Sequence, residues 1–143
     1  MFINQISVFV ENKAGRLAEI TGLLEKNNID IRALSIADTR DFGILRLIVN
    51  DPDTAERVLR DNGFTVSLTQ VIAIGINDKP GGLAGAMKTL YENKISVEYM
   101  YAFISRTDET AYVILRVEDN EKALDVLKKF HIKILTSEDI YTM

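Results

Sequence analysis

The chain has no cysteine, no tryptophan, one histidine and two prolines in 143 residues. Without cysteine there are no disulfides, no thiolate metal sites and no cysteine nucleophile. A lone His131 has no second imidazole with which to share a metal ion. Apolar runs are short: none reaches the ~18 residues a membrane helix needs. The start, Met1-Phe2-Ile3-Asn4-Gln5, lacks the basic residues and long apolar stretch of a secretory signal. A cytoplasmic protein without membrane contact is expected. Basic residues are also in deficit, 17 against 21 acidic for a formal charge of −4, and they form no block. That argues against nucleic acid as a partner, since clustered Lys and Arg are what replace counterions on phosphates.

What is present is a 47% hydrophobic content, enough for a packed core, and a repeat. Asp78-Lys79-Pro80-Gly81-Gly82-Leu83-Ala84 joins an alternating apolar run to a helical pattern. Asn12-Lys13-Ala14-Gly15-Arg16-Leu17-Ala18 does the same 66 residues earlier. Lys13, Gly15, Leu17, Ala18, Leu24, Asn27, Ile29 and Arg40 recur as Lys79, Gly81, Leu83, Ala84, Leu90, Asn93, Ile95 and Arg106. Further on the offset is 68, with Ala55, Val58 and Leu59 matching Ala123, Val126 and Leu127. The two-residue insertion falls near residues 107–109, in a loop that can absorb it.

Residues 2–11 alternate, with Ile6, Val8 and Val10 on one face, which predicts a half-buried strand. Over 15–27 the period lengthens, and Leu17, Ile20, Leu23 and Leu24 draw an apolar helical stripe. Strands follow at 29–37 and 44–49, joined by a turn at 38–41. Asp51 is placed to cap a helix, Pro52 suits its first position and Gly63 its end, where a left-handed residue is needed. A short strand at 64–68 closes the unit. The second copy predicts a strand at 71–76, a helix at 82–93, strands at 95–104 and 111–117, a helix at 120–130 and a strand at 132–135. The tail, 137–143, aligns with 69–75 and is expected to add an edge strand.

The fold class is therefore α+β: two tandem ferredoxin-like βαββαβ units, residues 1–69 and 70–143. Each is a four-stranded antiparallel sheet with two helices on one face, because both crossovers are right-handed. The other sheet face is left bare. In Glu98-Tyr99-Met100-Tyr101-Ala102-Phe103 both alternating sets carry apolar or aromatic residues, so one must be covered by the sister unit or a second chain.

The glycines of Ala14-Gly15-Arg16 and Pro80-Gly81-Gly82 stand at helix starts, where backbone N–H groups lack partners and the dipole favours negative charge. Asn12 and Asp78 add a side-chain oxygen able to accept from an ammonium group. A row of donors beside an acceptor is what a free α-amino acid requires. On local sequence alone, Asn12 and Asp78 read first as plain turn caps, with glycines that only permit a tight bend.

Both units resemble ACT domains, the regulatory modules of amino-acid metabolism. The resemblance rests on the two loop motifs, each followed by the start of a second strand, Asn27-Asn28-Ile29-Asp30-Ile31 and Asn93-Lys94-Ile95-Ser96-Val97, and it covers the whole chain. It implies a stand-alone tandem protein that binds an amino acid or similar small molecule at an interface between units, with no catalytic residues, metal or cofactor. It nominates Asn12 and Asp78 for the ligand's polar head. Gly15 and Gly81 with Gly82 become backbone donors, flanked by Ala14, Arg16, Leu17, Pro80 and Leu83. Asp30 and Ser96 become the second-strand residues that close the site of a neighbouring unit. The copies differ, since Ala14 replaces the proline found at Pro80 and Arg16 stands where Gly82 leaves room. Arg16 either fills its cleft or pairs with a ligand carboxylate, so the second loop is the better candidate.

Tyr99 and Tyr101, two apart on one strand face, suit a pocket for an apolar side chain or an interface. His131 and Lys128-Lys129 read as a turn residue and a solvated helix end. The expected function is a non-catalytic, allosteric amino-acid sensor, a homodimer whose ligand alters a partner such as a metabolic enzyme. The alternative is a ligand-free regulatory or structural subunit of an enzyme complex. A small-molecule enzyme lacks a nucleophile with a base or an acidic metal cluster at sensible spacing. An RNA-binding βαββαβ module lacks aromatic residues on Ile44-Leu45-Arg46-Leu47-Ile48-Val49.

Overall fold

Alternation in the first strand decides its orientation. Ile6, Val8 and Val10 of β1 (Ile3–Glu11) are buried, whereas Phe9 and Glu11 are exposed. The structure, a computed structural model, describes residues 2–38, 41–104 and 109–143. The Arg40 and Arg106 match, residues 39 and 40 of the first turn and residues 107 and 108 of the insertion lie outside the described residues.

The first copy continues with α1 (Arg16–Lys26), β2 (Ile31–Asp38), β3 (Phe42–Val49) and α2 (Pro52–Asp61). Strand β3 is central, antiparallel to both β1 and β2. Ile6 stands opposite Leu47 and Val8 opposite Leu45, so these side chains share a face. There they meet Ile20 and Leu24 of α1 and Ala55 and Leu59 of α2. Full burial of each such Leu or Ile side chain contributes about 1.5–3 kcal/mol. Asp51 caps α2 by accepting from the Thr54 N–H at 3.2 Å, and Gly63, at φ +88°, ends it.

The second copy repeats the pattern with α3 (Gly82–Glu92), β5 (Val97–Ala102), β6 (Thr110–Val117) and α4 (Asn120–Lys129). It opens on the end of β4 (Thr65–Asn77) and closes on the short β7 (Lys133–Leu135). Its strand order is β7-β4-β6-β5, antiparallel throughout. Ile72, Ile74, Val113, Leu115 and Val117 pack with Leu90 of α3 and Leu127 of α4. Asp119 caps α4 through the Lys122 N–H. On the faces away from the helices Ala33, Ile48, Val71, Ala73 and Ile114 are buried too.

Three expectations need correction. The strands predicted at 64–68 and 71–76 are one strand, β4, because nothing at Thr69 or Gln70 forces a turn and both residues tolerate extended backbone. The tail is not an edge strand. It forms a helical turn, α5 (Ser137–Tyr141), started by reciprocal bonds in which the Thr136 N–H donates to Asp139 Oδ2 and the Asp139 N–H donates to Thr136 Oγ1. The Thr136 N–H first, and the Thr136 hydroxyl after it, hold the Asp139 carboxyl below its ordinary pKa. Leu17, read into the buried stripe, is 43% exposed in the first turn of α1, and that stripe is carried by Ile20, Leu23 and Leu24.

By contacts the chain falls into two compact units. One comprises Asn4–Thr69 with Ile140–Met143, the other residues 2 and 3 with Gln70–Asp139. In the first, the guanidinium of Arg32 holds the tail: Nε donates to the Ile140 carbonyl at 2.9 Å, Nη2 to that of Tyr141 at 3.1 Å, and Nη1 to Asp30.

Candidate functional site

The loop after β4 is shaped by its backbone. The Asp78 N–H donates to the Glu109 carbonyl at 2.7 Å, the Lys79 N–H to Asn77 at 2.9 Å and the Gly82 N–H to Lys79 at 3.0 Å. Gly81, at φ +89°, is the N-cap of α3 and offers no side-chain cap. The N–H groups of the first helical turn therefore point out of the helix without an intrahelical acceptor. A β-carbon on residue 82 would lie 2.0 Å from the Asn77 carbonyl oxygen, so the helix can start this close to the strand only with glycine there. Asp78 lies on the outer side of the loop, in a hollow of about 340 Å³ shared with Asn77, Lys79 and Glu109.

On the inner side a cleft of about 560 Å³ opens between the end of β4, the loop from Lys79 to Gly82, the first half of α3 and the turn at His131. Its opening follows from strand lengths. β7 pairs with β4 only from Ala73 to Gly75, so Ile76 and Asn77 continue past it. The floor is made of small residues. A β-carbon on Gly75 would stand 3.1 Å from Lys133 Cδ and 3.4 Å from Thr110 Cγ2, so the lysine stem crosses directly over the glycine. Lys133 Nζ reaches 5.8 Å from the centroid of the Tyr112 ring. His131, at φ +58°, occupies the turn that ends α4, its N–H donating to the Lys128 carbonyl. Among the described residues the ionisable lining consists of Lys79, His131 and Lys133. Among the described residues no three His, Asp or Glu side chains gather as a metal site.

The first copy has a similar but looser loop, with Gly15 also at φ +89° as N-cap of α1 and the Arg16 N–H 3.4 Å from the Lys13 carbonyl. Its cleft holds about 160 Å³. Side chains make the difference. Phe9 stands in place of Gly75, Arg16 in place of Gly82, and Phe42, opposite Glu11, in place of Thr110, opposite Asn77. Gly63 and Thr65 replace His131 and Lys133. Arg16 reaches Glu19 at 3.1 Å and Glu11 at 4.0 Å, and Lys13 approaches Glu11 at 2.9 Å. Lys13 above all, with Arg16 adding to it, holds the Glu11 carboxyl below its ordinary pKa. Arg16 thus borders the smaller cleft with its guanidinium held between Glu19 and Glu11.

The structure gathers Pro80, Gly81 and Gly82 at one cleft. Ala14 and Leu17 are exposed, and Leu83 leans on the second core. Asn12 is tied to the β2–β3 hairpin, its Nδ2 donating to Asp38 Oδ1 at 3.3 Å. Asp30 and Ser96 lie at the opposite end of their own units from the glycine loops. Asp30 pairs with Arg32, and Ser96 borders a separate cleft beside Lys94, Asp119 and Asn120. Tyr99 and Tyr101 stack with centroids 6.5 Å apart, on the face of β5 away from the helices. Sequence reasoning missed Gly75, Thr110, His131 and Lys133. The signal was in the repeat, where each of these positions faces a residue of different size.

A family model described as an ACT domain pair matches residues 1–143. Among solved structures, protein BT0572 from Bacteroides thetaiotaomicron is 41% identical, with all of this chain and 98% of that one covered and a TM-score of 0.94. The regulatory subunits of aspartate kinase from Thermus thermophilus, in a ligand-free form, and from Thermus flavus are each 15% identical. Their TM-scores are 0.62 and 0.60 over 88% of this chain and 90% of theirs, a likeness of fold. No curated protein sequence matches the chain.

Proposed function

Since the chain belongs to the ACT domain pair family, we propose that it is a non-catalytic regulator that binds a free amino acid or close chemical relative, with residues 1–69 and 70–143 as its two modules. A regulatory ligand-binding role is the common ground of the family pair and the aspartate kinase subunits. The observation that carries the finer reading is the open second cleft against a smaller first one. Loop backbones alike in both copies end at a 560 Å³ space in one and a 160 Å³ space in the other. The ligand's carboxylate sits at the N-terminus of α3, where the helix dipole favours it and the first-turn N–H groups beyond Gly82, whose own N–H goes to the Lys79 carbonyl, face it. Asp78, from the adjoining hollow across the loop, and Ser96 and Tyr99 of a second chain complete the site.

Regulation requires that the ligand bind one arrangement of the protein more tightly than another. A homodimer suits the exposed apolar residues Leu34 and Ile36 on β2 and Met100 on β5, and a metabolic enzyme is the partner whose activity would respond. No described helix is long and apolar enough to cross a membrane, and the cytoplasm is the compartment where such a sensor meets free amino acids. Isothermal calorimetry with the twenty amino acids tests the reading. Saturable binding of at least one, weakened by Asp78→Ala in a chain that still melts normally, is the expected result.

A further inference from the structure

We propose that Asn62 is a site of spontaneous covalent modification, deamidation through attack by the Gly63 backbone nitrogen, held in check by the folded end of α2. The inference is independent of any ligand. Asn62-Gly63 is the one asparagine-glycine step in the chain. Glycine leaves the attacking nitrogen unshielded, because it has no β-carbon and its backbone turns freely. In the reaction the Gly63 nitrogen bonds to Asn62 Cγ and gives up its proton, the Cγ–Nδ2 bond breaks, and ammonia leaves. Water then opens the five-membered succinimide at either carbonyl, giving aspartate or isoaspartate. Water is the only co-reactant.

The other helices supply internal controls. Asn27, Asn62 and Asn93 are the C-caps of α1, α2 and α3. Each donates its Nδ2 at 2.8 Å to the carbonyl four residues back, that of Leu23, Val58 or Thr89. Their followers are Asn28, Gly63 and Lys94, so the same cap occurs three times and the reactive follower once. The folded end of α2 opposes the reaction in three ways. The bond to Val58 turns the carboxamide back along the helix, and the Gly63 N–H donates to the Arg60 carbonyl at 3.0 Å. At ψ 16° the Gly63 nitrogen also lies away from the Asn62 β-carbon, so the ring closes only after rotation about the Asn62 Cα–C bond. Both residues are exposed and stand at a helix end, where local opening needs least free energy, so the reaction runs through the opened end. The product cannot restore the cap. A carboxylate has no proton to donate to Val58, its charge meets the negative end of the helix dipole, and isoaspartate lengthens the main chain. Asn62 and Gly63 line the smaller cleft of the first copy, whereas Phe130 and His131 hold these positions in the second.

The test is incubation of the full chain in mildly alkaline buffer, native and in guanidinium chloride, followed by peptide mass mapping with detection of isoaspartate. In denaturant Asn62 should gain one mass unit at least about tenfold faster than Asn27 or Asn93. In buffer alone its rate should fall at least about tenfold, and Asp51→Ala, which weakens the other end of α2, should raise it again. Asn62→Asp, one product made directly, should melt below wild type. Asn27 or Asn93 converting as fast as Asn62 in denaturant overturns the inference, and so does a native rate equal to the denatured one. An Asn62→Asp chain as stable as wild type overturns the stated consequence for α2. If Asp51→Ala does not fold, the comparison of buffer with denaturant still decides the matter.

Discussion

Gly82 and Asn77 approach so closely that a β-carbon on the glycine would sit 2.0 Å from the asparagine's carbonyl oxygen. Contact is with backbone, so no rotamer change relieves it. Gly82→Ala must push the start of α3 away from β4. The expected cost is roughly 1–3 kcal/mol, read as a lower unfolding midpoint in urea, with ligand affinity falling alongside.

Gly81 presents the opposite case. Nothing lies within 4 Å of a β-carbon built there, yet its φ is +89°. Gly81→Ala should cost about 1–2 kcal/mol from backbone strain alone, and Gly81→Asn less, because asparagine enters the left-handed region more readily. Equal losses for alanine and asparagine would show that space, not conformation, governs the position.

The α2 cap makes stability depend on acid. Bonds from Thr54, the side-chain one first and the backbone one after it, hold the Asp51 carboxyl below its ordinary value of 3.8. A depressed folded pKa means that the contribution is complete above pH 3.8 and is lost as pH falls through the lower folded value. Asp51→Ala should destabilise by about 0.5–2 kcal/mol near neutrality. Urea unfolding at a series of pH values should show the gap between wild type and variant closing in acid.

Arg32 is 12% exposed and divides its donors among Ile140, Tyr141 and Asp30. Arg32→Ala leaves two carbonyls without these donors, at a cost of about 1–3 kcal/mol. Amide exchange should speed up in residues 137–141 first. Uniform acceleration across the chain would contradict a local role.

Periodicity exposed both crossovers, and local chemistry exposed the ends of α2 at Asp51 and Gly63, because each rests on neighbours in sequence. Alignment with residues 69–75 predicts a strand for the tail, whereas the capping signature of Thr136 and Asp139 is what marks its helical turn. Leu17 shows another limit: apolar spacing marks a stripe but not where it leaves the core. The cleft was only half legible. Its glycine loop is contiguous and repeated, whereas Gly75, Thr110, His131 and Lys133 come from three elements that only the pairing of β4 with β6 and β7 brings together.

The central claim, that the open second cleft is an amino-acid site, is tested most directly by one calorimetric survey of the twenty amino acids against the full chain and its Asp78→Ala variant. The account predicts saturable binding of at least one amino acid, stabilising the fold by about 2.7 kcal/mol at 100 times its dissociation constant, with affinity reduced by Asp78→Ala. No binding by any of the twenty, or binding unaffected by Asp78→Ala, would contradict it.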